Sequence, residues 1–212
     1  MKMTRKLTNE IKQNFTNRFE GRNTGLSAKI NINGYYHCLF KDELGRYKTT
    51  TLSGIVDTSF QNVIFYEDGT FVTNVGLRQG YNNYEDYFNS IIKNGRRDFF
   101  YTTASDWGIY SVLEDTIRAQ YIFYKSTFTP LYTGEEWFVI KDRNSIQLTF
   151  FKSDINQTIQ DARLKNDKYV QSATVASFHP VINIPPPHGW LKKESFFWRN
   201  KDDWKKYMEH VN

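Results

Sequence analysis

Polar and apolar residues alternate along much of the chain from residue 30 onward. The alternating runs are short and rich in β-branched and aromatic residues, and they occupy residues 32–40, 46–56, 60–66, 70–75, 107–112, 116–125, 135–141, 145–151 and 169–178. A period of two residues with this composition is typical of half-buried β-strands. The pattern predicts some nine or ten strands at close spacing.

Tight turns separate several of these runs. Glu67-Asp68-Gly69 is a hairpin signal, because an Asp-Gly pair accepts the positive φ values of a two-residue turn. Leu113-Glu114-Asp115 and Asp142-Arg143-Asn144 hold the same position between later runs. Strands joined mostly by hairpins favour an antiparallel barrel or sandwich over a parallel α/β sheet. We expect a barrel, because closure removes the exposed edges of aromatic strands.

Helical spacing interrupts the strand pattern at a few places. An apolar residue recurs every fourth position at the start of the chain, which predicts an amphipathic helix that ends at Gly21, with the stripe Leu7, Ile11, Phe15 and Phe19. A second helix is predicted between Asn83, which can cap it, and Gly95, with Tyr84, Tyr87, Phe88, Ile91 and Ile92 on one face. A shorter helix is predicted from Asp154.

The last predicted helix begins after Asn200, a possible N-terminal cap, and its apolar face consists of Trp204, Tyr207, Met208 and Val211. The fold class is therefore mostly β: an antiparallel barrel with flanking N-terminal, inserted and C-terminal helices. We expect an N-terminal helix and connector at 1–29, a barrel domain at 30–199 and a C-terminal helix at 200–212.

Composition agrees with this architecture and limits the classes of function. The chain has 212 residues, enough for one domain, and 17% of them are aromatic. The net charge of +5 comes from the two ends, since residues 23–189 hold 16 basic and 17 acidic side chains. Arg96 and Arg97 follow a predicted helix, where they complement its dipole. We therefore expect no specific nucleic-acid partner.

Cysteine content and hydropathy bear on the compartment. A lone Cys38 excludes an intramolecular disulfide and a multi-cysteine metal site. The sequence has neither the apolar run of a signal peptide near its start nor a run long enough to span a membrane. We expect a cytoplasmic protein if Met1 is the native first residue, and an exported or cell-envelope protein if a leader has been removed.

Catalytic and metal-binding patterns are weak. His37 and Cys38, like Glu135 and Glu136, are neighbours on a strand, so their side chains point to opposite faces and cannot act as a pair. We interpret the two glutamates as ordinary charges at the edge of a turn. His179 and His188 lie nine residues apart without a third ligand at fixed spacing. The sequence therefore predicts no catalytic residue, no metal site and no cofactor.

Three strand-and-turn motifs and one strand resemble those of lipocalin-like (calycin-type) β-barrel proteins of Bacteroidota. The motifs are Gly34-x-Tyr36, the hairpin from Asn62 through Asp68-Gly69 to Phe71, Trp107-Gly108-x-Tyr110 with Asp115-Thr116-Ile117, and the strand Glu136–Ile140. The likeness covers about residues 32–198. The resemblance implies a lipocalin-like barrel. Families of this kind generally have no assigned chemistry, and many of their members look like exported lipoproteins.

A barrel of about eight to ten strands can enclose a cavity for a small ligand, lined by aromatic and aliphatic side chains. Eight aromatic residues are candidates for the lining: Tyr35, Phe65, Phe71, Tyr110, Tyr121, Phe123, Trp137 and Phe150. Alternatively, the same rings fill the barrel without any ligand. The sequence leaves both possibilities open.

The function predicted from these observations is non-catalytic binding of a small apolar or amphipathic ligand in the barrel. The alternative is an interaction or assembly subunit that binds a protein partner through residues 7–19 or 204–211 and its barrel surface. Enzymatic activity ranks third. It would require histidine and carboxylate side chains that converge in one pocket.

Overall fold

The computed structural model describes residues 9–41, 44, 46, 49–52, 55–58, 60–95, 99–102, 106–124, 131–152 and 170–211. The strands are β1 (Gly34–Leu39), β2 (Thr49–Leu52), β3 (Ile55–Thr58), β4 (Phe60–Phe65), β5 (Thr70–Thr73), β6 (Asp106–Leu113), β7 (Thr116–Tyr124), β8 (Leu131–Asp142), β9 (Ser145–Lys152) and β10 (Ala176–Pro180). The helices are α1 (Asn9–Asn14), α2 (Tyr84–Asn94), α3 (Phe99–Thr102), α4 (Trp190–Lys193) and α5 (Lys201–Val211).

Eight of these strands form a closed antiparallel barrel in the order β1, β10, β9, β8, β7, β6, β5, β4. The predicted mostly β barrel with flanking helices is confirmed. β2 and β3 form a separate two-stranded sheet. The run at 46–56, predicted as one strand, therefore contains β2 and part of β3, and neither strand belongs to the barrel. The run at 169–178 is also wrong at its start, since residues 170–172 are helical and β10 begins at Ala176.

The three predicted hairpin turns are confirmed, and so are two of the predicted helices. In α2, the Asn83 side chain accepts a hydrogen bond from the Asp86 backbone N–H at 2.8 Å, and Gly95 ends the helix with a φ of 60°. In α5, the Asn200 side chain accepts from the Asp202 N–H at 2.8 Å. The predicted helix at Asp154 and the Arg96-Arg97 pair lie outside the described residues.

The N-terminal helix is shorter than its apolar stripe predicts. α1 ends at Asn14, and the Gln120 side-chain oxygen accepts hydrogen bonds from the backbone N–H groups of Thr16 and Asn17, both at 2.8 Å. These donors are therefore satisfied by the barrel and not by a continued helix. Phe19 instead forms a parallel bridge with Trp198. Leu7 lies outside the described residues.

Two hydrophobic cores lie on the two faces of the barrel wall. The outer core joins the outward face of β4, β5, β6 and β7 to α1, α2, α3 and the C-terminal segment; Ile11, Phe88, Phe100 and Trp107 are among its buried members. The inner core fills much of the barrel interior. Because both faces of these strands are covered, strict alternation of polar and apolar residues is lost there. Among the described residues, no helix is both long and apolar enough to cross a membrane.

The two ends of the barrel differ. At the hairpin end, short turns join β4 to β5, β6 to β7 and β8 to β9. Leu26 and Ile30 of the segment before β1 are completely buried there and belong to the inner core. At the connection end, the chain makes the longer passages from β1 to β4, β5 to β6, β7 to β8 and β9 to β10. The hairpin end is therefore plugged by apolar side chains.

Candidate functional site

Polar side chains meet inside the barrel at its connection end. Strand alternation directs five residues inward at this level, and we call them the inner polar cluster: Gln61 of β4, Thr73 of β5, Asp106 of β6, Tyr121 of β7 and Glu136 of β8. Gln61 and Glu136 have 1% and 0% of their surface exposed. Such residues are seldom fully buried unless they are paired, so the cluster calls for a specific explanation.

Hydrogen bonding in the cluster is incomplete. The Gln61 Nε2 group donates to Thr73 Oγ1 and to Glu136 Oε1, both at 2.7 Å. The other oxygen of each residue, Gln61 Oε1 and Glu136 Oε2, has no hydrogen-bond partner within the described parts of the chain. A buried polar atom without a partner costs about 1–3 kcal/mol of stability. A donor placed beside either oxygen would remove this cost.

Burial dominates the electrostatics of the two inner carboxyl groups. Burial raises the pKa of Glu136 to about 8, and the nearby Asp106 carboxylate raises it too, while hydrogen bonds from Gln61, Tyr121 and Thr73 lower it. Burial also raises the pKa of Asp106 to about 6, against a hydrogen bond from Asn74. Among the described residues, neither carboxyl group forms an ion pair. Glu136 is thus mostly protonated at pH 7.

Cys38 also points into the barrel, and its thiol donates to the Thr174 carbonyl at 3.2 Å. Burial raises the pKa of this thiol to about 11, although hydrogen bonds to Thr174 lower it. The thiol is therefore protonated at neutral pH and a poor nucleophile. His37 points to the opposite face, where its Nδ1 lies 2.6 Å from Asn62 Oδ1, as the alternation predicts.

Aromatic rings fill the barrel toward its hairpin end. The ring of Phe65 lies 5.4–6.2 Å from the rings of Tyr36, Phe71, Tyr110 and Phe138, measured between centroids. The Tyr110 hydroxyl donates to the Tyr66 carbonyl at 2.7 Å. This half of the interior is therefore a packed core of aromatic rings.

The eight predicted lining residues divide between the two faces of the barrel. Phe65, Phe71, Tyr110, Tyr121 and Phe123 belong to the inner core or pack against it. Tyr35 faces outward, where its ring stacks on His179 at 5.1 Å. Trp137 and Phe150 pair on the outer face, with ring centroids 4.7 Å apart. The lining role of the five inner residues stays a prediction.

The interpretation of Glu135 and Glu136 as turn-edge charges is wrong, because both residues are buried in the middle of β8. Their opposite orientation is confirmed. Glu135 faces outward, where it accepts hydrogen bonds from Arg118 Nε at 2.6 Å, Trp137 Nε1 at 2.6 Å and Gln120 Nε2 at 2.9 Å. Burial raises the pKa of Glu135, but these hydrogen bonds outweigh burial and lower it. The two neighbours thus have opposite electrostatic environments.

The histidines lie away from the inner polar cluster. His37 and His179 are adjacent on the outer face with ring centroids 5.6 Å apart, and His188 lies beside Tyr101 and Trp107. Burial and the nearby His37 lower the pKa of His179. Within the described residues, no group of three or more histidine, cysteine, aspartate or glutamate side chains could hold a metal ion.

Sequence reasoning missed Gln61, Thr73, Asp106 and Glu136. The signal was present in the spacing, since Gln61 shares a strand face with Val63 and Phe65, and Glu136 shares one with Phe138. A polar residue on the buried face of an alternating strand is such a signal.

No protein-family model, curated protein or solved structure matches the chain.

Proposed function

We propose that the protein is a non-catalytic barrel that binds a small amphipathic ligand inside the barrel, at its connection end. The observation that carries this proposal is the pair of unpartnered oxygens, Gln61 Oε1 and Glu136 Oε2, on two fully buried side chains. Natural proteins leave few buried polar atoms unpaired, and such atoms often mark functional sites. A ligand that donates hydrogen bonds to both would remove their desolvation cost.

The surroundings favour a ligand that is apolar as well as polar. The inner polar cluster lies above a layer of packed rings, and Phe123, partly buried, packs against the inner core on the same strand face as Tyr121. Sites of this kind, mostly apolar with a few converging polar groups, are typical of small-molecule pockets. A lipocalin-like mode of binding, with the ligand held within the barrel, is the finer form of this proposal.

The asymmetry of the barrel supports entry from one side. Leu26 and Ile30 close the hairpin end, and tight turns surround them.

Gly134 carries no side chain at the level of the cluster, and a Cβ atom there would lie 2.2 Å from the Tyr121 ring. The ring of Tyr121 therefore lies directly over the strand backbone and leaves its hydroxyl beside Glu136.

Native mass spectrometry of the full-length chain tests this proposal. We expect the native mass to exceed the denatured mass by that of one small molecule, and we expect this excess to fall in the variant Gln61→Leu, which removes one unpartnered oxygen. Ser111→Ala, a change of an exposed residue on the outer face, is the control and should keep the extra mass. An unaltered mass in the native wild-type protein, or an equal excess in Gln61→Leu, would overturn the proposed site.

A protein-binding role is the second candidate, and one feature of α5 favours it. None of the residues of α5 is buried, and Tyr207 and His210 line a cleft of about 340 Å³ together with Arg22 and Lys192. The N-terminal stripe is different, because Ile11 and Phe15 are completely buried against the barrel. A partner would therefore meet the C-terminal part of the predicted interaction surface, residues 204–211.

A further inference from the structure

We infer that the ligand of the inner polar cluster carries an organic ammonium group, which is held by Glu136 Oε2 and Gln61 Oε1 with Asp106 nearby. This inference rests on the proposed function and names the chemical class of its ligand. Three properties of the cluster lead to it: its uncompensated acidic groups, the kind of hydrogen-bonding atom left free, and the proton that Glu136 must lose.

The first property is charge. Glu136 and Asp106 are both directed into the barrel, yet in the described part of the chain no lysine or arginine pairs with either of them. The outer face shows the contrast, since Arg118 pairs with Glu135 at 2.6 Å. A buried carboxyl group without a cation keeps its proton, as Glu136 does at pH 7, and it ionises there only when a cation lies beside it. A cationic ligand would supply the missing partner.

The second property is that both unpartnered atoms are hydrogen-bond acceptors. Gln61 Oε1 can only accept, and Glu136 Oε2 can only accept once the carboxyl group is ionised. An alcohol offers one donor and no charge, and a carboxylate offers no donor at all. A primary ammonium group offers three donors and a positive charge. A primary ammonium group therefore satisfies both oxygens and the charge together.

The third property is proton linkage at Glu136. The groups that face its carboxyl are Asp106 from β6, Tyr121 from β7, Thr73 from β5, Gln61 from β4 and Cys38 from β1. Asp106, Tyr121 and Cys38 are the titratable groups among them. Since the pKa of Glu136 is about 8 in the free protein, most molecules hold this proton at pH 7. A cation binds the ionised form better, so its binding must release a proton. We expect the release of about one proton per ligand at pH 7.

Isothermal titration calorimetry of the full-length protein tests the inference with three probes of equal chain length: hexylammonium, hexanol and hexanoate. A primary ammonium stays charged throughout pH 6–8.5, because its pKa is close to that of lysine, about 10.4. We expect hexylammonium to bind at least tenfold more tightly than hexanol, and hexanoate to bind least. Titration in buffers of different ionisation enthalpy should show the release of about one proton with hexylammonium.

The matched variants are Glu136→Gln and Glu135→Gln. Each removes one carboxylate from β8, but from opposite faces of the barrel. We expect Glu136→Gln to lose the preference for hexylammonium over hexanol and to release no proton. Glu135→Gln should keep both, since Glu135 lies outside the barrel, bonded to Arg118 and Gln120. Circular dichroism of each variant confirms that it is folded before the comparison.

The outcomes separate the two proposals. Equal affinity for hexylammonium and hexanol, or a preference that survives in Glu136→Gln, would overturn the ammonium assignment and leave the binding function standing. A neutral or anionic molecule found by native mass spectrometry would do the same. Absence of binding by all three probes, together with a native mass that matches the bare chain, would overturn both proposals.

Discussion

Replacing Glu136 with glutamine is expected to raise the free energy of unfolding by roughly 4 kcal/mol at pH 8.5 and by less than about 1 kcal/mol at pH 5. The physical reason is burial. The carboxyl group has a pKa of about 8 in the folded protein and about 4.5 in a solvated chain. Between these values the folded protein holds a proton that the unfolded chain has lost. Wild-type stability therefore falls as the pH rises from about 4.5 to about 8.

The measurement is urea denaturation of wild type and Glu136→Gln at several pH values between 5 and 8.5. The difference between the two proteins cancels the titrating groups that do not interact with Glu136, and it retains the coupling of Glu136 to Asp106. Glu135→Gln is the matched control, and it should change the free energy of unfolding in the opposite direction, because the pKa of Glu135 is lowered in the fold. It should lose about 1–3 kcal/mol at neutral pH. If the difference in the free energy of unfolding between wild type and Glu136→Gln did not change with pH, the burial of an unpaired carboxyl group would be contradicted.

Phe138→Ala is expected to reduce stability by about 3–5 kcal/mol, whereas Trp137→Ala is expected to cost only about 1–2 kcal/mol. Phe138 is fully buried in the barrel, where its ring lies 5.9 Å from that of Phe65. Trp137 is half-buried on the outer face, where its ring packs at a tilt against that of Phe150 and its Nε1 donates to Glu135. Removal of the inner ring leaves a cavity, while removal of the outer ring opens a surface to solvent.

Chemical denaturation at pH 5 measures this pair with little contribution from Glu136. The two residues are neighbours in sequence and both are aromatic, so the ratio of their effects reports the face on which each lies. Leu113→Ala, at the exposed last residue of β6, should change stability by less than about 0.5 kcal/mol. A larger loss for Trp137→Ala than for Phe138→Ala would mean that the faces of β8 are reversed.

The architecture was largely predictable, because its signals are local. The Asp68-Gly69 turn, the Asn83 cap and the Gly95 end of α2 follow from the backbone preferences of these residues, and each is found where the sequence indicated. Hairpins between alternating strands then favour a closed antiparallel sheet. The barrel expected from the resemblance to lipocalin-like proteins is confirmed at the level of the fold.

The faces of some strands were not predictable, because apolar residues occupy both of them. In Trp137-Phe138-Val139-Ile140 no polar residue marks the outer side, and only the pairing with β7 and β9 determines it. Phe150 shows a second cause. The pairing in β9 shifts by one residue near Thr149, so Leu148 faces inward and Phe150 faces outward. A bulge of this kind reverses the alternation that a sequence pattern assumes.

The site was missed because its chemistry depends on long-range contacts. Gln61 and Glu136 are 75 residues apart, and their 2.7 Å hydrogen bond exists only when the barrel is closed. The end of α1 has a similar origin, since Gln120 reaches the Thr16 backbone from 104 residues away. Local propensity favours a longer helix there, and the barrel contact overrides it.

The most direct test of ammonium binding at the inner polar cluster is a crystal structure of the full-length protein soaked with hexylammonium near pH 8. We expect ligand density inside the barrel at its connection end, with the ammonium nitrogen within hydrogen-bond distance of Glu136 Oε2 and Gln61 Oε1. Density for the probe only on the outer surface of the barrel, with no ligand atom near Glu136 Oε2 or Gln61 Oε1, would contradict the proposed site.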